Sequence, residues 1–249
     1  MDFTPQIYKS LVQSLLDAGY RFQTFEEMLS RPVDGKVVVL RHDIDKLPYN
    51  AITLGEIEHD LGVKATYYIR IVKATWNEDV IKQLIRLGHE VSYHYEDLTI
   101  TRGDYEKAWA HFKKHFDRIR AFYPAKTVCM HGSPLSKWDN RKLWEKYDYR
   151  ELDIIGEPYF DVDYTKMLYV TDTGRSWNKS EVSVRDKVPG GLQVNIKSTD
   201  HFIRLVKDNA LPDRIMINTH PQRWFPFGAG WMKELVFQNI KNLGKRGLM

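Results

Sequence analysis

With 249 residues, 43% hydrophobic and 28% charged, the chain has the make-up of an ordinary globular protein, one large α/β domain or two small ones by length alone. Its formal charge of +4 comes from basic residues interspersed with acids, which argues against a nucleic-acid partner. The single cysteine, Cys129, excludes an intrachain disulfide and a multi-cysteine zinc site, and its run Val128-Cys129-Met130 predicts a buried, inert thiol.

In chain order, Ile7, Leu11, Leu15 and Leu16 form one helical stripe that Gly19 terminates. Phe25 to Leu29 suggests a second short helix. Val37-Val38-Val39-Leu40 reads as a strand buried on both faces, and it ends in Arg41-His42-Asp43-Ile44-Asp45. A helix is expected over 50–61, a strand over 65–69, a helix over 77–87 and a strand over 90–94. Asp104 opens what reads as the longest helix, with Tyr105, Ala108, Trp109, Phe112, Phe116 and Ile119 spaced by three and four, and Pro124 closes it. A strand over 127–130 and a helix near 138–146 follow, then short strands over 151–155, 167–170 and 192–196. The chain ends with a helix over 199–207, a strand over 215–219 and an amphipathic helix over 231–243. About eight strands alternating with helices, with no linker or repeat, predict an irregular (β/α) barrel; an open doubly wound sheet is the alternative.

The strand ends carry the chemistry. Asp43 and Asp45 are two apart, so an extended backbone turns both to one side, where like charges need a cation between them or a shared proton. Parallel α/β folds place ligands at the carboxyl ends of strands. Those ends supply His42, Asp43, Asp45, Arg70, His94, His131, Asp172 and His220. A lone histidine at such an end is more often structural; their coincidence on several strands points to a site. An aspartate with two neutral imidazoles suits zinc, cobalt or nickel and leaves a position for water. A second carboxylate then serves as general base and a further histidine as general acid, the inventory for hydrolysis of an amide or ester. No G-x-S-x-G, P-loop or G-x-G-x-x-G pattern offers another chemistry.

Four segments carry a resemblance to a known family: Arg41-His42-Asp43-Ile44-Asp45, Gly88-His89-Glu90-Val91-Ser92-Tyr93-His94, His131-Gly132-Ser133-Pro134 and Asn218-Thr219-His220-Pro221. The pattern resembles the polysaccharide deacetylases of carbohydrate esterase family 4, the NodB homology domain, over about residues 36 to 222. The resemblance implies a distorted (β/α)7-8 barrel core preceded by N-terminal helices (1–35) and followed by a C-terminal helix (223–249). It implies Asp43 as catalytic base, Asp45 and His94 as metal ligands and His220 as general acid. The substrate it implies is an acetylated sugar or glycan precursor.

Two departures stand out. The family's second metal histidine falls four residues after the first, where this chain has Leu98, which cannot ligate. His131 is the expected third ligand, with Glu96 and Asp97 as local alternatives. The family's arginine-bearing third motif is replaced by His131-Gly132-Ser133-Pro134. The segment 171–177 is expected to fill that gap at the substrate site, with Asp172 steadying His220 or the base, and Arg175 and Trp177 joining Arg70 in contact with substrate. The alternative for that segment is a surface loop with one buried tryptophan. His89, at a strand start, is expected to make a structural hydrogen bond. Leu98 also motivates a rival reading, a non-catalytic glycan- or partner-binding protein; a hydrolase of a non-sugar amide is the third. No stretch approaches the ~20 apolar residues of a membrane span, and Met1 to Pro5 lack signal-peptide features, so a cytoplasmic location is expected; an oligomer is compatible with the sequence.

Overall fold

The computed structural model describes residues 1–134, 136–177, 186, 188 and 190–246, with side chains to residue 242. Among the described residues, seven parallel strands form one sheet packed against helices. In chain order the elements are α1 (Pro5–Asp17), β1 (Arg21–Gln23), α2 (Phe25–Ser30), β2 (Val37–Ile44), α3 (Tyr49–Asp60), β3 (Thr66–Ile69) and α4 (Glu78–Arg86). Then follow β4 (Glu90–Tyr95), α5 (Asp97–Ile100), α6 (Tyr105–Arg120), β5 (Val128–Met130), β6 (Leu168–Thr171), α7 (Thr199–Lys207), β7 (Arg214–Thr219) and α8 (Ala229–Arg246).

Local chemistry sets the helix starts. Thr4, Asn77, Asp104 and Ser198 each accept a first-turn backbone N–H, and Thr24 with Glu27 completes a capping box.

The strand order is β5-β4-β3-β2-β7-β6, with β1 added on β2. β7 runs along Val37–His42 of β2, while β1 pairs with Val37–Val39 and β3 with Arg41–Ile44. β1 and β3 therefore share one edge of β2 in succession, and β7 holds the other.

Alternation along β2 separates two environments. Val38, Leu40 and Ile44 join the large core beneath α1, α3, α4 and α7. Val39 joins a smaller cluster with Tyr68 of β3, Cys129 of β5, Tyr169 of β6 and Met216 of β7. Residues of both edge strands meet in that cluster, as they do only on the concave face of a curled sheet. A third cluster packs α6 on β4 and β5, with Trp109, Phe112 and Trp144 in mutual ring contact.

Several expectations change. The region near 138–146 is a 3-10 helix, Asn140–Glu145, and 151–155 holds the end of another, Tyr149–Leu152, rather than a strand. Gly156 and Leu192 each make one isolated bridge, to Thr127 and Leu168, so the described residues hold seven strands against the eight expected. Short apolar runs do not distinguish a strand from a tight turn of helix. Segment 1–35, expected to be purely helical, contributes β1, and α8 with 18 residues exceeds α6 with 16. Residues 247–249 of the expected C-terminal helix lie outside the described residues.

Glu157 sits fully buried below the β5 edge, accepting from the backbone of Met130 (3.0 Å) and Tyr159 (2.5 Å). Burial raises its carboxyl from 4.5 to about 7, against these hydrogen bonds. A raised folded-state pKa means the native chain binds the extra proton, so this contribution is full below about 4.5 and is lost as pH rises through about 7. Its size is roughly 3–4 kcal/mol at ~1.4 kcal/mol per unit. Urea denaturation of wild type and Glu157→Gln at about pH 5 and pH 8 should show a smaller loss with rising pH in the variant.

Candidate metal centre

The carboxyl ends of β2, β4, β5 and β7 converge. Asp45, the first residue beyond β2, is the hub: its Oδ1 lies 2.9 Å from His131 Nδ1 and 3.6 Å from His94 Nε2, and its Oδ2 lies 3.9 Å from His220 Nε2. His94 Nε2 and His131 Nδ1 are 3.2 Å apart. Asp45, His94 and His131 thus point three donor atoms at one spot. A tetrahedral ion with bonds of about 2.0–2.1 Å separates its ligand atoms by roughly 3.3–3.4 Å, close to the three distances found. His94 Nδ1 bonds the Cys129 carbonyl at 3.0 Å, which places the ring proton there and leaves the Nε2 lone pair for the centre. Residues, geometry and donor type fit a divalent transition metal.

Electrostatics agree with geometry. Burial pushes the Asp45 carboxyl up, but His131, His94 and His220 outweigh it and hold it well below the usual carboxylate range. Burial pushes His94 down, while Asp43 and Asp45 raise it above its ordinary value.

Asp43 lies deeper, on the concave face. Its Oδ1 and Oδ2 accept from Arg41 at 3.1 and 3.3 Å, and Oδ2 also accepts from Asn218 Nδ2 at 2.9 Å. It also lies close to His94 and Cys129. The two carboxylates that repel in the bare sequence therefore have separate partners, a guanidinium for Asp43 and imidazoles for Asp45. Arg41 is fully buried and also reaches Cys129 Sγ and Tyr169 OH, both at 2.8 Å. Burial raises the Cys129 thiol well above its usual range, in keeping with an inert thiol.

His220 stands opposite, with Nδ1 2.6 Å from Asp172 Oδ1 and its backbone N–H on Asp172 Oδ2. Arg223 and the Trp224 indole N–H also bind Asp172, at 2.6 and 2.9 Å. Burial raises the Asp172 carboxyl, yet Arg223 and His220 bring it below its ordinary value. Arg70 lines a cleft of about 630 Å³ that opens over Asp45 and His131, and it pairs with Glu96 at 2.6 Å. A larger cleft of about 880 Å³, along residues 139–161, touches none of these groups.

Other expectations are corrected. Asp172 is buried behind His220 and bonds that ring, the first of the two roles expected for it, so it does not reach the cleft as a substrate contact. Trp177 is packed among Phe3, Phe202 and Trp224 and donates to Thr199 Oγ1, and Arg175 is held over the Trp231 ring and bonds the Trp231 carbonyl. Both serve the core, because an aromatic and a long cationic stem bury more apolar surface there than in the cleft. His42 projects to the helix side, stacked on Tyr67 and paired with Glu58 at 2.8 Å, so strand alternation removes it from the centre. Leu98 is buried beside Phe112 and Tyr93, facing the core. His89 bonds the Gly55 carbonyl at 3.0 Å, the structural role expected. Arg41, Asn218 and Arg223 were not singled out by sequence; Arg41 and Asn218 lie in the motif segments, two residues before Asp43 and His220.

No protein-family model matches the sequence, and no curated protein does. Among solved structures, the chain is similar to IcaB from Ammonifex degensii, at 14% identity and a TM-score of 0.43, over 57% of this chain and 71% of that one. It is similar to the Xyl-CE4 domain of a multidomain xylanase from the hindgut metagenome of Trinervitermes trinervoides, at 14% identity and 0.42, over 86% and 85%. A mutant of the peptidoglycan deacetylase PdaC from Bacillus subtilis is similar at 13% identity and 0.38, over 87% and 100%. These similarities concern the path of the chain; the donor set described above belongs to this chain's own residues.

Replacing Arg41 by Met leaves Asp43 buried without its cation, which costs about 3–5 kcal/mol. Urea unfolding should show that loss in Arg41→Met and partial recovery in Arg41→Met/Asp43→Asn. A double variant no more stable than the single one would contradict the pairing.

Proposed function

We propose that this protein is a metal-dependent hydrolase that removes an acetyl group from an N-acetylated sugar or glycan precursor. The observation that carries the reading is the convergence of Asp45 Oδ1, His94 Nε2 and His131 Nδ1, with His220 Nε2 3.9 Å from the same carboxylate. The acetylated-sugar class rests on the motif resemblance around Asp43, His94 and His220.

A divalent ion in this donor set, zinc foremost with cobalt or nickel as alternatives, supplies Lewis acidity toward a water and an amide carbonyl. The residues divide the remaining work. Asp43 takes the proton of the attacking water; Arg41 and Asn218 fix the orientation of its carboxylate. His220 gives a proton from Nε2 to the departing amine, and Asp172 on Nδ1 stabilises the imidazolium that must precede that transfer. Acetate and the free amino sugar are the products, with one water consumed. Arg70 and Glu96 line the cleft above.

Leu98, the feature that favoured a non-catalytic reading, is engaged in the core, and His131 supplies the third donor in its place. Residues Asp45 and His131 face the cleft with 22% and 13% of their side chains exposed, so a small ligand reaches them.

Purified protein should lose one equivalent of bound zinc, cobalt or nickel on His94→Ala. Acetate release from a panel of N-acetyl sugars should fall by about 10²–10⁴ in Asp43→Asn and in His220→Ala. Unchanged turnover in Asp43→Asn would reject the assignment of the base. Turnover confined to formyl or cyclic imide substrates would move the activity to non-sugar amides. A protein that takes up no metal at this centre under any loading condition would sink the proposal.

A further inference from the structure

We propose a second divalent-metal site, formed by Asp97, His111 and His115, outside the strand-end centre. His111 and His115 are four apart on α6, so they share one face of that helix. That face meets Asp97, the first residue of α5. Asp97 Oδ1 lies 2.5 Å from His111 Nδ1 and 4.0 Å from His115 Nδ1, and the two Nδ1 atoms are 3.1 Å apart. The three donor atoms form a group with metal-ligand spacing. The three separations, 2.5, 3.1 and 4.0 Å, bracket the roughly 3.3–3.4 Å between ligands of a tetrahedral ion with bonds of about 2.0–2.1 Å.

Hydrogen bonding alone does not satisfy this arrangement. Among the described residues, no lysine or arginine forms an ion pair with Asp97, although its side chain is fully buried. Tyr93 OH donates to Oδ1 at 3.0 Å, while Oδ2 has no hydrogen-bond partner. A buried carboxylate in that position calls for a cation. A proton on His111 Nδ1 serves Asp97 but faces the Nδ1 of His115 as well. One proton is shared among three acceptors, whereas one cation accepts a lone pair from each. Tyr93 then acts as an outer hydrogen bond that orients the carboxylate. The site is reachable, since the His111 and His115 side chains are 28% and 14% exposed. Imidazole and carboxylate donors select a zinc-like transition ion over calcium or magnesium, which prefer all-oxygen sites.

The ion would staple α6 to the start of α5, which directly follows Glu96 and the strand β4 that carries His94. Its effect is structural, a gain in stability that follows ion binding to the folded chain.

The test uses metal-stripped, full-length His94→Ala protein, in which the strand-end donor set is already broken. Zinc titrated against a competing chelator should bind at one equivalent and raise Tm. Both effects should be lost in His94→Ala/His111→Gln/His115→Gln. In the wild-type background, the His111→Gln/His115→Gln pair should remove one equivalent and leave the remainder bound. Should a multiple variant fail to fold, single His115→Gln removes one of the three donors and should weaken zinc binding by more than the roughly tenfold that loss of an outer hydrogen-bond partner costs. Zinc uptake unchanged by loss of both α6 histidines, or absent from folded His94→Ala protein, would overturn the site. Wild-type protein that binds metal here and none at the strand-end centre would count against the hydrolase reading alone.

Discussion

The structure is organised around one buried guanidinium. Arg41 leaves the central strand into the hollow of the curled sheet and touches Cys129 on one edge strand and Tyr169 on the other. A charge in that position is costly unless it is paired and hydrogen-bonded. Asp43 on the same strand supplies the pairing, and the rings of Tyr159 and Tyr169 lie within 5.7 and 5.6 Å of the guanidinium carbon. Because the guanidinium bridges the two edges, the curl that it spans also brings β4 and β5 toward β6 and β7. His94 and His131 meet Asp45 from one side and His220, backed by Asp172, from the other.

Strand alternation then sorts the ionisable groups. On β2, Arg41 and Asp43 face the hollow, while His42 between them faces the helices. His42 joins Glu58 of α3, and His89, Tyr8 and Tyr67 complete a network that is closed to the cleft. Burial raises the Glu58 carboxyl, and His42 and His89 outweigh it and lower it below its ordinary value. The same rule acts on β7, where Asn218 turns to Asp43 and Thr219 to His42. Two polar networks thus flank one sheet, and among the described residues the one in the hollow is the one that continues to the strand-end cleft.

The cleft side shows how one missing donor is replaced. Leu98 belongs to α5, whose short turn directs it into the core beside Phe112. His131, one residue past β5, reaches the same Asp45 oxygen at 2.9 Å. Sequence pattern made His131 a candidate because it ends a strand that neighbours His94, and the ladder between β4 and β5 places it there. The pattern failed for Arg175 and Trp177. A loop residue's direction depends on what packs around it, and here Phe3, Thr199 and Trp231 draw both inward.

Sequence alone determined the alternation of strands and helices, the start of α6 at Asp104 and the clustering of acids and imidazoles at strand ends, because these follow from local periodicity and residue chemistry. It also marked Asp43 and Asp45 as a like-charged pair in need of a cation or a shared proton. Only the tertiary structure decided which cation answers each of them, since that depends on which face of each strand looks into the hollow and on how tightly the sheet curls. Asp43 has one local partner, Arg41 on its own strand, while residues 94, 131, 218 and 220 reach Asp43 and Asp45 through long-range packing.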